Sequence, residues 1–149
     1  MIRFRDATEP DLSSVVTLLA DDELGGGRED AGPPLPGAYT EGFRRMVAQG
    51  GRIILMLDED QIVGCLQMHV LHGVSTRSMA RAQVEGVRVA STHRGGGLGA
   101  QLLAEAIREA RAAGCGLVQL TTNLSRTDAQ RFYRRLGFAQ SHAGMKLAL

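Results

Sequence analysis

Cysteine is scarce in this chain. Cys65 and Cys115 are the only two among 149 residues, they lie far apart, and they form no Cys-x-x-Cys unit. That leaves no material for a disulfide framework or a cysteine zinc cluster, and a reducing cytoplasm is the expected setting. Net charge is small too: 17 Lys and Arg against 16 Asp and Glu leave +1, too little for a nucleic-acid partner held by overall charge. Long apolar runs are missing. Those present, such as residues 53–57, fall far short of the roughly 18 positions that would span a bilayer, so no membrane partner is expected. Residues 1–6 carry charge where a secretory signal would need about 7–15 unbroken apolar positions. The four histidines make no metal set, with His69 and His72 on a strand and its turn and His93 and His142 standing alone. No metal is expected.

What the chain does contain is enough apolar material for one core, 44% hydrophobic against 22% charged residues, which is ordinary globular usage. With no repeat and no linker, residues 1–149 read as a single domain. Residues 2–5 alternate like a short strand. Thr8 then precedes Pro10 and a helix with Leu12, Val15, Val16 and Leu19 at apolar spacing, which Thr8 would cap. Residues 24–37 hold Gly25-Gly26-Gly27 and Pro33-Pro34-Leu35-Pro36, which predicts a loop long enough to be functional. A helix over 38–48, a hairpin of strands 52–57 and 61–71, and a strand over 82–90 follow. Gly86 lies inside that last strand, where glycine marks a bulge or a close backbone approach. A helix over 97–113 presents Leu98, Leu102, Leu103, Ala106, Ile107 and Ala110 on one face. A strand over 116–122, a short helix over 129–136 and a final strand or hairpin over 138–149 complete an α/β order of β-α-α-β-β-β-α-β-α-β.

The chemistry concentrates between Val87 and Ala100, where a strand, a glycine loop and a helix start follow in succession. A helix's first turn offers unpaired N–H groups and a partial positive charge, and glycines let the backbone approach an anion without a Cβ in the way. Arg94 adds a cation at the entrance. The glycines would also serve a plain turn before a packing helix. Gly95, Gly97 and Ala100 satisfy the dinucleotide pattern G-x-G-x-x-A. However, five residues separate Val89 from Gly95, and Thr121-Thr122-Asn123 offers no acid at the end of the next strand, against what that fingerprint requires. A P-loop is excluded because no Gly-Lys-Ser/Thr follows.

The same loop, Arg94-x-x-Gly97-x-Gly99, resembles the Q/R-x-x-G-x-G/A loop of the GNAT superfamily of N-acetyltransferases. Ala129-Gln130-Arg131-Phe132-Tyr133-Arg134-Arg135-Leu136-Gly137-Phe138 is similar to that family's A-x-x-F-Y-x-x-x-G-F block, and Asn123 stands ten residues before Tyr133. The resemblance is specific over residues 84–138. It implies the GNAT-like acyl-CoA N-acyltransferase fold, a central mixed, mostly antiparallel sheet flanked by helices. It also implies an acetyl-CoA-dependent N-acetyltransferase acting by direct transfer to a primary amine, on a small molecule or a peptide, in a ternary complex. Homodimers are common among similar proteins.

Carried onto this sequence, the resemblance places the pyrophosphate on Arg94, Gly95, Gly96, Gly97, Leu98, Gly99 and Ala100. The pantetheine arm would lie along Val87, Arg88 and Val89, with the N–H of Val87 or a neighbour as oxyanion donor. It makes Tyr133 the proton donor to the CoA sulfur and Glu85 the general base, acting through water, with Asn123 on the pantetheine amide. Where many relatives carry a second asparagine, this chain has Arg126. Each residue has a plainer structural reading as well: Tyr133 completes an apolar set with Ala129, Phe132 and Leu136, Asn123 suits a turn, and Glu85 suits an exposed strand position. Asp128 is expected to cap the short helix, Cys65 and Cys115 to fill the core, and His72 to stand near the acceptor mouth as an alternative base. The acceptor site is expected between the first two helices, residues 24–37 and residues 71–80. There Glu29 and Asp30 would favour a cationic amine, and Arg77 and Arg81 an acidic acceptor. A CoA-binding sensor without turnover, or a nucleotide-dependent enzyme using the same glycine loop, are the alternatives.

Overall fold

The computed structural model describes residues 1–149, which divide into two compact units, Met1–Gln119 and Leu120–Leu149. The chain runs through β1 (Ile2–Asp6), α1 (Leu12–Ala20), α2 (Glu23–Gly26), α3 (Gly37–Ala48), β2 (Arg52–Asp58) and β3 (Gln61–Leu71). It continues through the single turn α4 (Ser75–Ser78), β4 (Arg81–Val89), α5 (Leu98–Ala112), β5 (Leu117–Leu120) and α6 (Thr127–Arg135). The strands lie in the order β1-β2-β3-β4-β5, and the first three pairings are antiparallel. After α5, the Gly116 N–H meets the Ala80 carbonyl at 2.8 Å and Gln119 Nε2 meets Gln83 Oε1 at 2.7 Å. Both contacts keep the same residue offset, so β5 runs parallel to β4. The sheet is mixed and mostly antiparallel, as the resemblance implies.

Ile53, Ile54, Leu55, Met56 and Leu57 of β2 are all buried because helices cover both faces of the sheet. α5 packs on β3 and β4, and its Leu102, Leu103 and Ala106 are fully buried. On the opposite face Val15 and Leu18 of α1 join Ile53, Leu55, Leu57 and Cys65 in one cluster. The other helix on that face is less committed: α3 has no fully buried residue, and only Phe43 and Met46 reach the cluster. No helix is long and apolar enough to cross a membrane.

Two local readings change. Glu23–Gly26 forms a helical turn inside the expected loop because the Asp22 carboxylate accepts from the Gly25 N–H at 2.5 Å. Gly25 is needed there, since a Cβ would run into the Leu19 carbonyl oxygen. Thr8 stands before a 3-10 turn over Glu9–Asp11, and the hub is Asp11. Its carboxylate accepts from Arg5 at 2.7 and 2.9 Å, from the Thr8 N–H at 2.8 Å and from the Thr8 hydroxyl at 3.0 Å.

In the second unit, α6 ends where Gly137 takes φ +94° and the Phe138 N–H reaches the Tyr133 carbonyl at 3.1 Å, a glycine-terminated helix. The N-cap position is Arg126, so Asp128 is not the cap; it sits in the first turn and pairs with Arg131. The expected final strand is absent, and residues 139–149 carry no helix or strand. Alternation gives a strand its faces but not its partner, and a lone segment leaves its backbone groups without a ladder. Met145 and Leu147 are accordingly 92% and 86% exposed.

The Arg5 guanidinium holds the Asp11 carboxyl well below the usual carboxylate range. A depressed folded-state pKa contributes stability that is fully present above about pH 4, the unfolded value, and is lost as pH falls. Asp11→Asn is therefore expected to cost about 1–2 kcal/mol at pH 7. Urea unfolding at pH 7 and near pH 3 checks this, with the gap between variant and parent narrowing at the lower pH.

Candidate active site

The site in the first unit is built on a register shift. Cys65 pairs with Arg88 and Gln67 with Glu85, so β4 spends Gly86 and Val87 opposite Leu66 alone. This is a β-bulge, and Gly86 takes φ +60° to make it. On the shared face, Gln67 and His69 of β3 stand opposite Glu85 and Gln83 of β4. Gln67 Nε2 donates to Glu85 at 3.3 Å, and Glu85 is exposed. Beyond the bulge, the Ala90 N–H bonds the Val63 carbonyl at 2.8 Å. Antiparallel alternation therefore turns the N–H and C=O of Val89, and of Val87 two residues earlier, towards the outer edge of β4.

The end of α1 is tied to this strand. Arg88 Nε lies 3.2 Å from Asp22 Oδ2, and its Nη1 donates to the Val87 carbonyl at 2.9 Å. Asp21 Oδ2 accepts from the Ser91 N–H at 2.8 Å. Arg94 donates to the Asp21 carbonyl at 2.6 Å and to the Val89 carbonyl at 3.0 Å. Arg94, the expected entrance cation, is thus partly neutralised by its own chain. The loop it opens places Gly95 and Gly97 at φ +83° and +77°, conformations that glycine adopts freely. Gly97 is the N-cap of α5 and supplies no side-chain cap, so the first-turn N–H groups of Leu98, Gly99 and Ala100 have no intrahelical partner.

Under α1 and α3 lies a cavity of about 540 Å³. A smaller one of about 40 Å³ sits at the bulge, and the two share Val15, Leu19, Ile53 and Gln67. Among the histidines, His69 lines the larger cavity, whereas His72 lies on an exposed turn. Cys65 is 1% exposed, and burial pushes its thiol up to about 12, so it is no nucleophile near neutral pH. No group of three or more His, Cys, Asp and Glu side chains is placed to hold a metal ion.

The second unit holds the other sequence candidates. Tyr133 packs edge-to-face on Phe132 and Phe138, with ring centroids 5.2 and 5.7 Å apart. Asn123 Oδ1 accepts from the Ser125 N–H at 2.9 Å and its hydroxyl at 2.8 Å, a turn-forming use that leaves its amide N–H₂ as donor. Residues the sequence did not flag are Gln67, Asp21 and Asp22. Period-2 spacing from His69 would have found Gln67; no local signal pairs Asp21 and Asp22 with arginines on another element.

A bulged strand leads here through a glycine loop into an uncapped helix, inside a mixed sheet, with an open strand edge beside free backbone N–H groups. Residues 15–138 match the acetyltransferase (GNAT) family, and the chain belongs to it as an N-acetyltransferase. An aminoalkylphosphonate N-acetyltransferase of Salmonella typhimurium is 34% identical over 113 residues, 75% of this chain and 73% of that protein. The crystal structure of a transcriptional regulator from Bacillus halodurans C-125 is 41% identical with a TM-score of 0.95, covering 100% of both chains. An acetyltransferase of Trypanosoma brucei is 26% identical with a TM-score of 0.81, again over 100% of both.

Thiol alkylation at pH 8 followed by peptide mass mapping is expected to modify partly exposed Cys115 in the folded protein and to spare Cys65. Cys65 should react only after denaturant is added.

Proposed function

We propose that residues 1–149 act as one domain, in the cytoplasm, that moves an acetyl group from acetyl-CoA directly to the primary amine of a small molecule in a ternary complex. The observation that carries this reading is the uncapped start of α5 behind Gly95 and Gly97, adjoining the outward backbone edge of β4. Those groups fit the cosubstrate: the N–H groups of Leu98, Gly99 and Ala100 suit a pyrophosphate, with Arg94, Gly95 and Gly96 at its entrance. Val87 and Val89 turn their N–H groups to an added strand of amides, and each carbonyl, which already accepts one arginine hydrogen bond, keeps a second lone pair for it. When bound, acetyl-CoA supplies an acetyl group activated as a thioester.

The chain's own residues do the rest. Glu85 takes the ammonium proton of the acceptor through water, and Gln67 orients its carboxylate. The Val87 N–H polarises the acyl oxygen. Tyr133 Oη, assigned on its motif, returns a proton to sulfur, and the Asn123 amide N–H₂ donates to the pantetheine. The buried, protonated Cys65 supports direct transfer over an acyl-enzyme route. The relative's aminoalkylphosphonate favours a small amine with an anionic group as the first acceptor to try, ahead of a peptide amine.

Acetyl-CoA and CoA are expected to raise the melting temperature and NAD(P) to leave it unchanged; a ligand at 100 times its Kd adds about 2.7 kcal/mol. A shift without turnover of any amine would favour a CoA-binding sensor. With an acceptor in hand, Tyr133→Phe and Glu85→Gln should each lower kcat by about 100-fold or more while leaving the acetyl-CoA shift in place. Full activity in both would overturn the roles given to them.

A further inference from the structure

One half-buried ion pair sits where the transfer proposed above is most sensitive to geometry. Cys65 pairs with Arg88 and Gln67 with Glu85, so the ladder is regular on both sides of the bulge and leaves the Gly86–Val87 peptide outside it. That peptide carries the N–H assigned to the acyl oxygen. Its own restraints are weak. Gly86 stands at φ +60°, with no Cβ to limit its rotation, and its carbonyl receives the Cys65 thiol at 3.9 Å, a weak donor.

Arg88 supplies what the ladder does not. Its Nη1 donates to the Val87 carbonyl at 2.9 Å, which fixes ψ of Val87 and, through that residue, limits how the preceding peptide can turn. The guanidinium needs an anchor of its own to do this. Its Nε is buried without a formed hydrogen bond and lies 3.2 Å from Asp22 Oδ2, so charge rather than a hydrogen bond at Nε ties it to Asp22. With side chains 15% and 17% exposed, that attraction is little screened. Asp22 is itself held, because its Oδ1 accepts from the Gly25 N–H at 2.5 Å as the cap of α2.

We propose that Arg88 and Asp22 are positioning residues for acetyl transfer: Arg88 sets the Val87 N–H against the acyl oxygen, and Asp22 holds Arg88 in place. This rests on the role given above to the Val87 N–H. A donor that meets developing negative charge is effective when its direction is fixed beforehand, and removing one such donor costs about 10²–10³ in kcat. The carboxylate that caps α2 therefore also sets the reacting geometry in β4.

Asp22→Asn isolates the charge, since asparagine caps a helix as well as aspartate does. Arg88→Met keeps an unbranched stem and removes the guanidinium. The wild type, both variants and the double variant are saturated with a carba analogue of acetyl-CoA, in which a methylene replaces the thioester sulfur and the acetyl carbonyl is labelled with ¹³C. That carbonyl resonance moves downfield when a hydrogen bond polarises it, so it reads the Val87 N–H with no acceptor present. Amide signals of Gly86 and Val87 are recorded in the free proteins, and the acetyl-CoA melting shift in parallel.

The expected result is a downfield displacement in the wild type that is largely lost in each variant, with the Gly86 and Val87 amide signals moved and the melting shift retained. The double variant should lose no more than either single one, because the two residues act through one pair. A displacement that both variants keep, or Gly86 and Val87 amides that coincide with those of the wild type, overturns the proposal, and so do additive losses in the double variant. Should Arg88→Met fail to fold, Asp22→Asn decides by the same two signals. No displacement in the wild type with the analogue bound is instead a failure of the role given to the Val87 N–H, and the amide signals then decide whether Arg88 and Asp22 set this peptide.

Discussion

The extra residue in β4 is the constraint on which the site depends. Because side chains alternate along a strand, one inserted residue reverses which face every later residue meets. Before the insertion, Gln83 and Glu85 stand opposite His69 and Gln67; after it, Arg88 stands opposite Cys65 on that same face. With an unbroken register, Arg88 would turn to the other face, where Leu102 and Leu103 are fully buried, and a guanidinium there would carry a large desolvation penalty. The insertion instead delivers Arg88 to Asp22 and turns the hydrogen-bonding edge of Val87 and Val89 outward. Gly86 makes it possible at φ +60°, with Leu19 of α1 close enough that an added Cβ would lie 3.3 Å from its Cδ2.

Ion pairs in this chain differ in what they accomplish. Arg3–Asp60 and Arg45–Glu41 have at least one largely exposed partner, and pairs of that kind contribute little. Arg88 and Asp22 are 15% and 17% exposed, so their attraction is screened far less than that of the surface pairs. Together with Asp21, whose carboxylate holds the Ser91 N–H and whose carbonyl holds Arg94, they fasten the end of α1 to the chain that follows the bulge. The start of α5 therefore presents backbone N–H groups and the helix dipole more than the charge of Arg94, which Asp21 already offsets.

What was legible in the sequence was local. Apolar spacing from Leu98 to Ala110 and the glycines of residues 95–99 announce a helix and its bare start because both signals lie within a few residues of the structure they cause. Gly86 announced a bulge for the same reason. Distant partners were not legible: nothing beside Asp21 or Asp22 points to arginines 66 to 73 positions onward. The incomplete seating of α3 escaped notice because Tyr39, Phe43 and Met46 have the spacing of a packed helix whether or not the space beneath them is filled. The expectation of a strand or hairpin after Phe138 failed, since a strand is a property of a pair of segments and one segment does not show its partner.

The same distinction bears on the acceptor. On the sequence, Glu29 and Asp30 look like an invitation to a cationic substrate, but both are used within the loop that carries them. Glu29 holds the Tyr39 hydroxyl, and Asp30 accepts from the Gly32 N–H at 3.0 Å while its own N–H donates to Tyr39. Carboxylates committed to shaping a loop have less to offer an incoming ammonium group. Glu85 differs: its one hydrogen-bonded neighbour is Gln67, at the long distance of 3.3 Å, which leaves most of its acceptor capacity unused. Glu85 is thus the carboxylate with acceptor capacity to spare beside the bulge, next to the Gln67 that lines both cavities.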